Sequence, residues 1–155
     1  EYASKIPLIG RFKEKINKQA KERVLKLLDD VEIADPEKVY DQYPHELSGG
    51  MKQRVVIAIA LASEPVLLIA DEPTSSLDVS IQSKILNLLD DLKEEHNLSI
   101  LYITHNLGVV AEVCDRVGVM YAGRVVEIAD VSKIFNNGKF IYNFYIQKDG
   151  PYSMN

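Results

Sequence analysis

The sequence predicts an α/β fold with parallel strands, and three features in the middle of the chain indicate that class. Val66–Ala70 is an unbroken apolar run between two prolines, which is typical of a strand buried on both faces at the centre of a parallel sheet. Leu98–Ile103 is a second, β-prone run. Between them, apolar residues at helical spacing predict a helix from Asp78 or Ser80 to about Glu95. The two strands and this helix should form a right-handed crossover.

The N-terminal part of the chain is predicted to be helical. Apolar residues recur at helical spacing over residues 13–31, and lysines and glutamates cover the other face. The segment Glu1–Phe12 is expected to be irregular, because a proline and a glycine interrupt it. Asp35-Pro36 predicts the start of a short second helix ending by Tyr43, since aspartate caps helices and proline suits their first position.

The C-terminal part is predicted to contain a short helix and a β-hairpin. Asn106 should cap a helix that runs through Val113. Val117–Tyr121 and Arg124–Ile128 are β-prone and are joined by Ala122-Gly123, which predicts a hairpin with a two-residue turn. A last helical turn is expected from Val131 to Phe135.

Composition limits the class of protein. With 46% hydrophobic and 26% charged residues, the 155-residue chain fits one globular domain. No apolar run approaches the ~20 residues of a membrane span. A net charge of −5 argues against a nucleic-acid partner, because phosphate backbones favour basic surfaces. The lone Cys114 excludes an internal disulfide and is expected to be a small buried residue.

Two adjacent carboxylates, Asp71 and Glu72, follow the first predicted strand directly. Ligands bind at the carboxyl ends of strands in open α/β sheets, and neighbouring buried carboxylates need a compensating cation or hydrogen bonds. One acid directed at a metal and one at a water would suit a nucleotide hydrolase. On these residues alone, an ordinary strand with an acidic exit loop explains the sequence equally well. His105 follows the second strand and should emerge at the same sheet edge.

A serine and two glycines precede a third helix. Ser48 is a good N-cap, and Gly49 and Gly50 would let another group approach the backbone closely. The free N–H groups and the helix dipole would then favour an anion such as phosphate. A capped core helix with a glycine turn is the alternative. The helix body, Val55–Ala62, is apolar all round and should be buried on most sides.

Taken together and in this order, the motifs resemble the nucleotide-binding subunit of ABC transporters, from about Pro44 to Ile128. The matching motifs are a signature motif at Leu47–Met51, a Walker B strand with its catalytic glutamate at Leu67–Glu72, a D-loop at Ser76-Leu77-Asp78 and a switch histidine at His105. Tyr43–Arg54, with Met51 where many relatives have glutamine, is similar to the dipeptide and oligopeptide importers.

The resemblance implies a partial P-loop NTPase-like (ABC ATPase) core with parallel strands, a helical subdomain at the N-terminus and a C-terminal β-hairpin. Residues 1–46 would belong to the helical subdomain, residues 47–135 to the C-terminal half of the ATPase core, and residues 136–155 to a divergent tail. The partners implied are a second ABC ATPase subunit, in a homo- or heterodimer, and transmembrane permease subunits, with no nucleic acid. The subunit would lie peripherally on the cytoplasmic face of the cell membrane.

The cofactors implied are ATP and Mg²⁺. Asp71 would hold Mg²⁺ through a water, Glu72 would activate the attacking water, and His105 would contact the γ-phosphate. The residues that would bind the ATP of the opposite subunit, or carry its state across the dimer, are Ser48, Gly49, Gly50, Met51 and Asp78. Two alternatives remain: a catalytically silent remnant that lends Ser48 and Gly50 to a partner's site, and a non-transport ABC ATPase.

The phosphate-binding loop G-x-x-x-x-G-K-[ST] does not occur in the 155 residues. The only Gly-Lys pair, Gly138-Lys139, is followed by Phe140 and lacks the upstream glycine. The sequence, which begins at Glu1, is therefore expected to be the second half of a nucleotide-binding domain and to be inactive alone. Val66–Ala70 should then lack a strand partner and leave an apolar edge exposed.

Overall fold

A computed structural model of the chain describes residues 7–137 and 144–148, and the side chains of residues 16–135. The chain divides into two compact units, Glu1–Ile59 and Ala60–Asn155. The first unit is helical, and the second contains the sheet. None of the helices in the described ranges is both long enough and apolar enough to span a membrane.

The first unit begins with helix α1 (Pro7–Asp30), followed by the short helix α2 (Pro36–Tyr40) and a 3-10 turn at Pro44–Glu46. The expected irregular stretch is therefore wrong from Pro7 onward, because a proline in the first helical turn needs no N–H partner. The predicted cap of α2 is confirmed: the Asp35 carboxylate accepts a hydrogen bond from the Lys38 N–H at 3.3 Å.

Helix α3 (Gly49–Leu61) begins at the predicted position in the first unit. Its Ile57 and Ala58 are buried, whereas Val56 and Ile59 are exposed. The prediction that this helix is buried on most sides is therefore wrong in this structure. Its unit contains only two other α-helices among the described residues, which is too few to surround a helix that is apolar all round.

The second unit contains a five-stranded sheet in the order β1-β2-β5-β3-β4. Strands β1 and β2 are parallel, β5 is antiparallel to β2 and β3, and β3 and β4 form an antiparallel hairpin. The strands are β1 (Leu67–Asp71), β2 (Ser99–Thr104), β3 (Arg116–Tyr121), β4 (Arg124–Asp130) and β5 (Phe144–Lys148). The predicted hairpin is confirmed, with Ala122 and Gly123 both at positive φ in its turn. Strand β5 was not predicted.

Strand β1 lies at the edge of this sheet and not at its centre. Leu68 and Ala70 are buried, but Leu67 and Ile69, which alternate with them, are exposed. The prediction of a central strand buried on both faces is therefore wrong. An apolar run indicates that a strand is favoured in a buried position, but it does not indicate which helices or strands will cover it. The expected exposure of an apolar edge at this strand is confirmed.

Two helices cover one face of the sheet. Helix α4 (Val79–Glu95) buries a stripe of leucines and isoleucines, and helix α5 (Leu107–Val113) buries three valines. Tyr102 of β2 is fully buried, with the Asp90 carboxylate of α4 and the Cys114 thiol near its hydroxyl. Burial, reinforced by these two groups, raises the pKa of Tyr102 well above its usual value. The chain continues from the hairpin into helix α6 (Val131–Asn137).

Candidate functional site

Glu72 and His105 meet at the carboxyl ends of β1 and β2. The His105 Nδ1 lies 2.6 Å from the Glu72 Oε1, and the His105 backbone N–H donates to the same oxygen at 3.2 Å. The prediction that both residues emerge at one sheet edge is confirmed, because parallel neighbours end together. Beside an ionised carboxylate, Nδ1 carries the proton, which leaves Nε2 to contact a ligand.

The Glu72 backbone is held in an unusual conformation. Glu72 has φ +46°, in the left-handed region that non-glycine residues rarely adopt. Its N–H donates to the Ile103 carbonyl at 2.8 Å. Its carbonyl accepts from the Ser75 hydroxyl at 3.2 Å and from the Ser75 N–H at 3.3 Å. These bonds fix the direction in which the carboxylate leaves the strand, which is how strain is often used at functional sites.

The Glu72 carboxylate is accessible to solvent. Its side chain is 35% exposed and that of His105 is 75% exposed, so solvent and ligands can reach the pair. Oε1 receives both hydrogen bonds from His105, and Oε2 is the oxygen that can accept a proton from a water. Such a carboxylate can serve as a general base.

Asp71 is exposed at the last position of β1, opposite Ile103 in the sheet register. Among the described residues, no three histidine, cysteine, aspartate or glutamate side chains form a metal-binding group. Mg²⁺ usually takes one or two carboxylates and completes its shell with water and substrate phosphates. The single exposed carboxylate of Asp71, beside Glu72, is therefore compatible with a Mg²⁺ ion that binds together with a nucleotide.

Asp78 has a clear structural role. Its carboxylate accepts from the Ile81 N–H at 3.0 Å and caps α4. It follows a series of turns after Glu72 in which Thr74 is buried. The part assigned to Asp78 by resemblance, communication between ATP sites, stays a prediction.

Asn106 and Thr104 hold the backbone on either side of His105. Asn106 caps α5, since its side-chain oxygen accepts from the Gly108 N–H at 2.9 Å, as predicted. The Thr104 hydroxyl accepts from the Asn106 N–H at 3.1 Å. Sequence reasoning missed the contributions of Thr104 and Ser75, although hydroxyl side chains in turns commonly bond nearby backbone groups.

Ser48 lies in the other compact unit, at the start of α3. Its hydroxyl accepts from the Met51 N–H at 3.3 Å, which confirms the predicted cap. Ser48 and Gly49 are exposed, and Gly50 and Met51 are half-buried, so the helix start is accessible to an anion. Binding of ATP by these four residues stays a prediction.

Arg54 has a structural role that the sequence motif did not reveal. Its guanidinium donates to the Val31 carbonyl at 2.6 Å and pairs with the Glu32 carboxylate at 2.8 Å. Glu32 has φ +56° just after α1, so Arg54 ties α3 to the turn that follows α1.

Comparison with known proteins gives matches to components of ABC transporters. A family model described as ABC transporter matches residues 4–75. The chain is 57% identical over 139 residues to the oligopeptide transport ATP-binding protein OppD of Bacillus subtilis, covering 89% of this chain and 39% of that protein. It therefore spans about two-fifths of the length of this relative.

Solved structures give the same family. The cbiO1 protein of Clostridium perfringens, part of the ABC transporter complex cbiONQ, matches with a TM-score of 0.68 and 36% identity, over 78% of this chain and 47% of that one. The bacterial ABC transporter cassette MJ0796, solved as a dimer, matches with a TM-score of 0.59 and 35% identity, over 71% and 46%. These matches, together with the acid–histidine pair at the strand ends, show that the chain is similar in sequence and in fold to part of the ATP-binding proteins of ABC transporters.

Proposed function

We propose that this chain supplies the hydrolytic edge of an ATP site in an ABC transporter. The contact between Glu72 and His105 at the ends of two parallel strands is the observation that carries the proposal. It couples a candidate base to a side chain that can contact phosphate, at the place where α/β sheets bind ligands.

In this proposal Asp71 would hold Mg²⁺ and Glu72 would accept the proton of the attacking water. His105 fixes one Glu72 oxygen through Nδ1 and offers Nε2–H, once protonated, to the γ-phosphate. Mg²⁺, when bound, neutralises the charge that develops on the phosphates. The residues of the chain orient the carboxylate and the water.

The helix start at Ser48 serves a second site in trans. Ser48, Gly49, Gly50 and Met51 contact the γ-phosphate of an ATP held by another ATPase subunit, in a homo- or heterodimer. The exposure of Ser48 and Gly49 at the start of α3 supports this role, because a helix N-terminus favours anions. The dimeric state of the MJ0796 cassette is consistent with it.

The transport reaction is import of peptides. This part of the proposal rests on the 57% identity to an oligopeptide transport ATP-binding protein and on the Tyr43–Arg54 motif. The subunit then lies on the cytoplasmic face of the membrane, bound to transmembrane permease subunits that convert closure of the ATPase dimer into transport.

A chimeric subunit tests the proposal. The 139 matched residues of the Bacillus subtilis relative are replaced by the corresponding residues of this chain, and Mg²⁺-dependent ATP hydrolysis and peptide uptake are measured. Removing a general base costs roughly 10²- to 10⁴-fold in rate, so Glu72→Gln should abolish most turnover and leave nucleotide binding largely intact. Glu95→Gln, at the far end of α4, is the matched control. Equal turnover by the Glu72→Gln and control chimeras would refute the hydrolytic role.

The Glu72→Gln variant also distinguishes this function from the alternative in which the chain is catalytically silent and only supplies Ser48 to a partner's site. The test uses a dimer of one chimera and one unmodified relative. If the chain only supplies Ser48 to its partner's site, Glu72→Gln in the chimera should leave ATP hydrolysis by the dimer unchanged. Ser48→Arg in the chimera should then lower ATP hydrolysis at the partner's site. The hydrolytic proposal requires a loss with both substitutions.

A further inference from the structure

The hydrogen-bond ladder between β1 and β2 changes at Glu72. In a parallel pair, a bridging residue donates to the residue before its partner and accepts from the residue after it. The strand register, continued one step past its last pair, sets Glu72 opposite Thr104. In a regular ladder Glu72 would therefore donate to Ile103 and accept from His105. The first of these bonds is present, from the Glu72 N–H to the Ile103 carbonyl at 2.8 Å.

The second ladder bond uses a different acceptor. The positive φ of Glu72 turns the chain out of the strand, and its carbonyl accepts from the Ser75 hydroxyl and the Ser75 N–H. The His105 N–H donates instead to the Glu72 Oε1, at 3.2 Å. The Glu72 carboxylate thus takes the place that the carbonyl of the same residue would have in a regular ladder.

Two side-chain turns fix the backbone that carries this donor. The Thr104 hydroxyl accepts from the Asn106 N–H at 3.1 Å, and the Asn106 side-chain oxygen accepts from the Gly108 N–H at 2.9 Å. Hydroxyl and amide side chains commonly form such turns with nearby backbone groups. Thr104 is buried, so its hydroxyl is not simply replaced by water. The direction of the His105 N–H is therefore set by both of its neighbours in the chain.

We infer that the His105 main-chain N–H positions the Glu72 carboxylate, and that Thr104 is a positioning residue for this contact. The effect on hydrolysis rests on the proposed function and deepens it, because a main-chain group then sets the orientation of the base. The imidazole Nδ1 contacts the same oxygen, so Oε1 has two donors and Oε2 stays available to a water. The main-chain donor persists when the His105 side chain, which is 75% exposed, rotates away.

Amide hydrogen exchange in the 155-residue chain tests the contact without ATP. Glu72→Ala removes the acceptor, so the amide of residue 105 should exchange about tenfold faster or more, as expected for a lost bond to a charged group. His105→Ala removes the imidazole but keeps the N–H, so protection corrected for the intrinsic rate should stay within about threefold of wild type. Thr104→Val should accelerate exchange at residues 105 and 106, and Thr104→Ser should restore protection.

Ser99→Ala is the matched control, because Ser99 carries a buried hydroxyl at the opposite end of β2. It should leave exchange at residue 105 unchanged. Unchanged exchange in Glu72→Ala, or equal acceleration by Ser99→Ala and Thr104→Val, would overturn the inference. A loss of protection in His105→Ala as large as in Glu72→Ala would also overturn it, since the imidazole alone would then hold the carboxylate.

Circular dichroism checks that each variant folds. Glu72 and His105 are accessible to solvent, so their alanine variants should fold even if Thr104→Val does not. The comparison of Glu72→Ala with His105→Ala then decides the main-chain contact by itself.

Turnover of the chimeric subunit tests the effect on hydrolysis. A misplaced base lowers the rate of the chemical step more than the affinity for substrate, so Thr104→Val should lower turnover at saturating ATP about tenfold with little change in the KM for ATP. Thr104→Ser should restore turnover, and Ser99→Ala should keep it. Equal turnover by Thr104→Val and Ser99→Ala would refute the positioning role of Thr104.

The two proposals can fail separately. If residue 105 responds to Glu72→Ala as expected and the Glu72→Gln chimera hydrolyses ATP at the control rate, the hydrolytic function is wrong and the main-chain contact stands. If Glu72→Gln abolishes turnover and exchange at residue 105 does not respond to Glu72→Ala, only the positioning inference is wrong.

Discussion

Replacing Asp78 with alanine should destabilise the chain through the start of α4. The Asp78 carboxylate accepts from the Ile81 N–H at 3.0 Å, and loss of such a cap costs about 1 kcal/mol. The negative charge at the positive end of the helix dipole adds about 0.5 kcal/mol. The free energy of unfolding should therefore fall by about 1.5 kcal/mol, and the melting temperature by roughly 3–6 °C for a chain of this size.

Urea unfolding followed by circular dichroism measures the loss, and hydrogen exchange at the Ile81 amide localises it. Asp78→Asn and Asp78→Ser keep a capping oxygen and should recover most of the stability. Asp91→Ala, at an exposed position later in α4, should change it by less than about 0.5 kcal/mol. If Asp78→Ala unfolds at the wild-type urea concentration, or if Asp78→Ser is as unstable as alanine, the capping argument is wrong.

The serine variant also separates structure from signalling at Asp78. If this residue communicates between ATP sites, Asp78→Ser in the chimeric subunit should keep most of the wild-type stability but lose cooperativity in ATP hydrolysis. An unchanged Hill coefficient would leave the helix cap as the whole role of Asp78.

Three further predictions concern other parts of the chain. Burial raises the pKa of Tyr102, so with rising pH the unfolded chain loses the phenol proton first, at about pH 10. The free energy of unfolding should therefore fall above that pH. Tyr102→Phe should remove the contribution of this proton to the fall, which urea unfolding at about pH 9 and pH 11 measures. Arg54→Met should lower the free energy of unfolding by about 1–3 kcal/mol, because the Val31 carbonyl and the Glu32 carboxylate lose a charged donor. Thermal unfolding followed by fluorescence measures this loss, and a loss below about 0.5 kcal/mol would contradict the prediction. The 155-residue chain alone should bind Mg·ATP more weakly than micromolar, since it contains no G-x-x-x-x-G-K-[ST] loop; a micromolar Kd by isothermal titration would show that reasoning to be wrong.

Local sequence signals were sufficient for most elements in the centre of the chain. The β1–α4–β2 crossover was predicted because an apolar run, an amphipathic helix and a β-prone run follow one another with ordinary spacings. The cap at Asn106 and the turn at Ala122-Gly123 were predictable because each depends on neighbouring residues only. The same holds for the meeting of Glu72 with His105, which follows once β1 and β2 are parallel neighbours.

Features that depend on distant neighbours were not predictable from the same signals. The apolar run at β1 indicated burial but not that the strand lies at the sheet edge with Ile69 exposed. Strand β5 pairs antiparallel with β2 on one side and with β3 on the other, and no local pattern in the tail of residues 136–155 specifies these partners. The positive φ of Glu72 was also missed, because it results from bonds to Ile103 and Ser75 in the folded chain.

The geometry of the acid–histidine pair and the covering of the sheet are separable properties of this molecule. Glu72 and His105 are brought together by the ends of β1 and β2, so their contact depends on the crossover and not on what packs against the sheet face that carries Leu67 and Ile69. In the proposed function, nucleotide binding would depend instead on parts of the chimeric subunit outside the 139 matched residues, because this sequence has no G-x-x-x-x-G-K-[ST] loop. Glu72→Gln in the chimeric subunit should therefore lower the turnover at saturating ATP with little change in the KM for ATP.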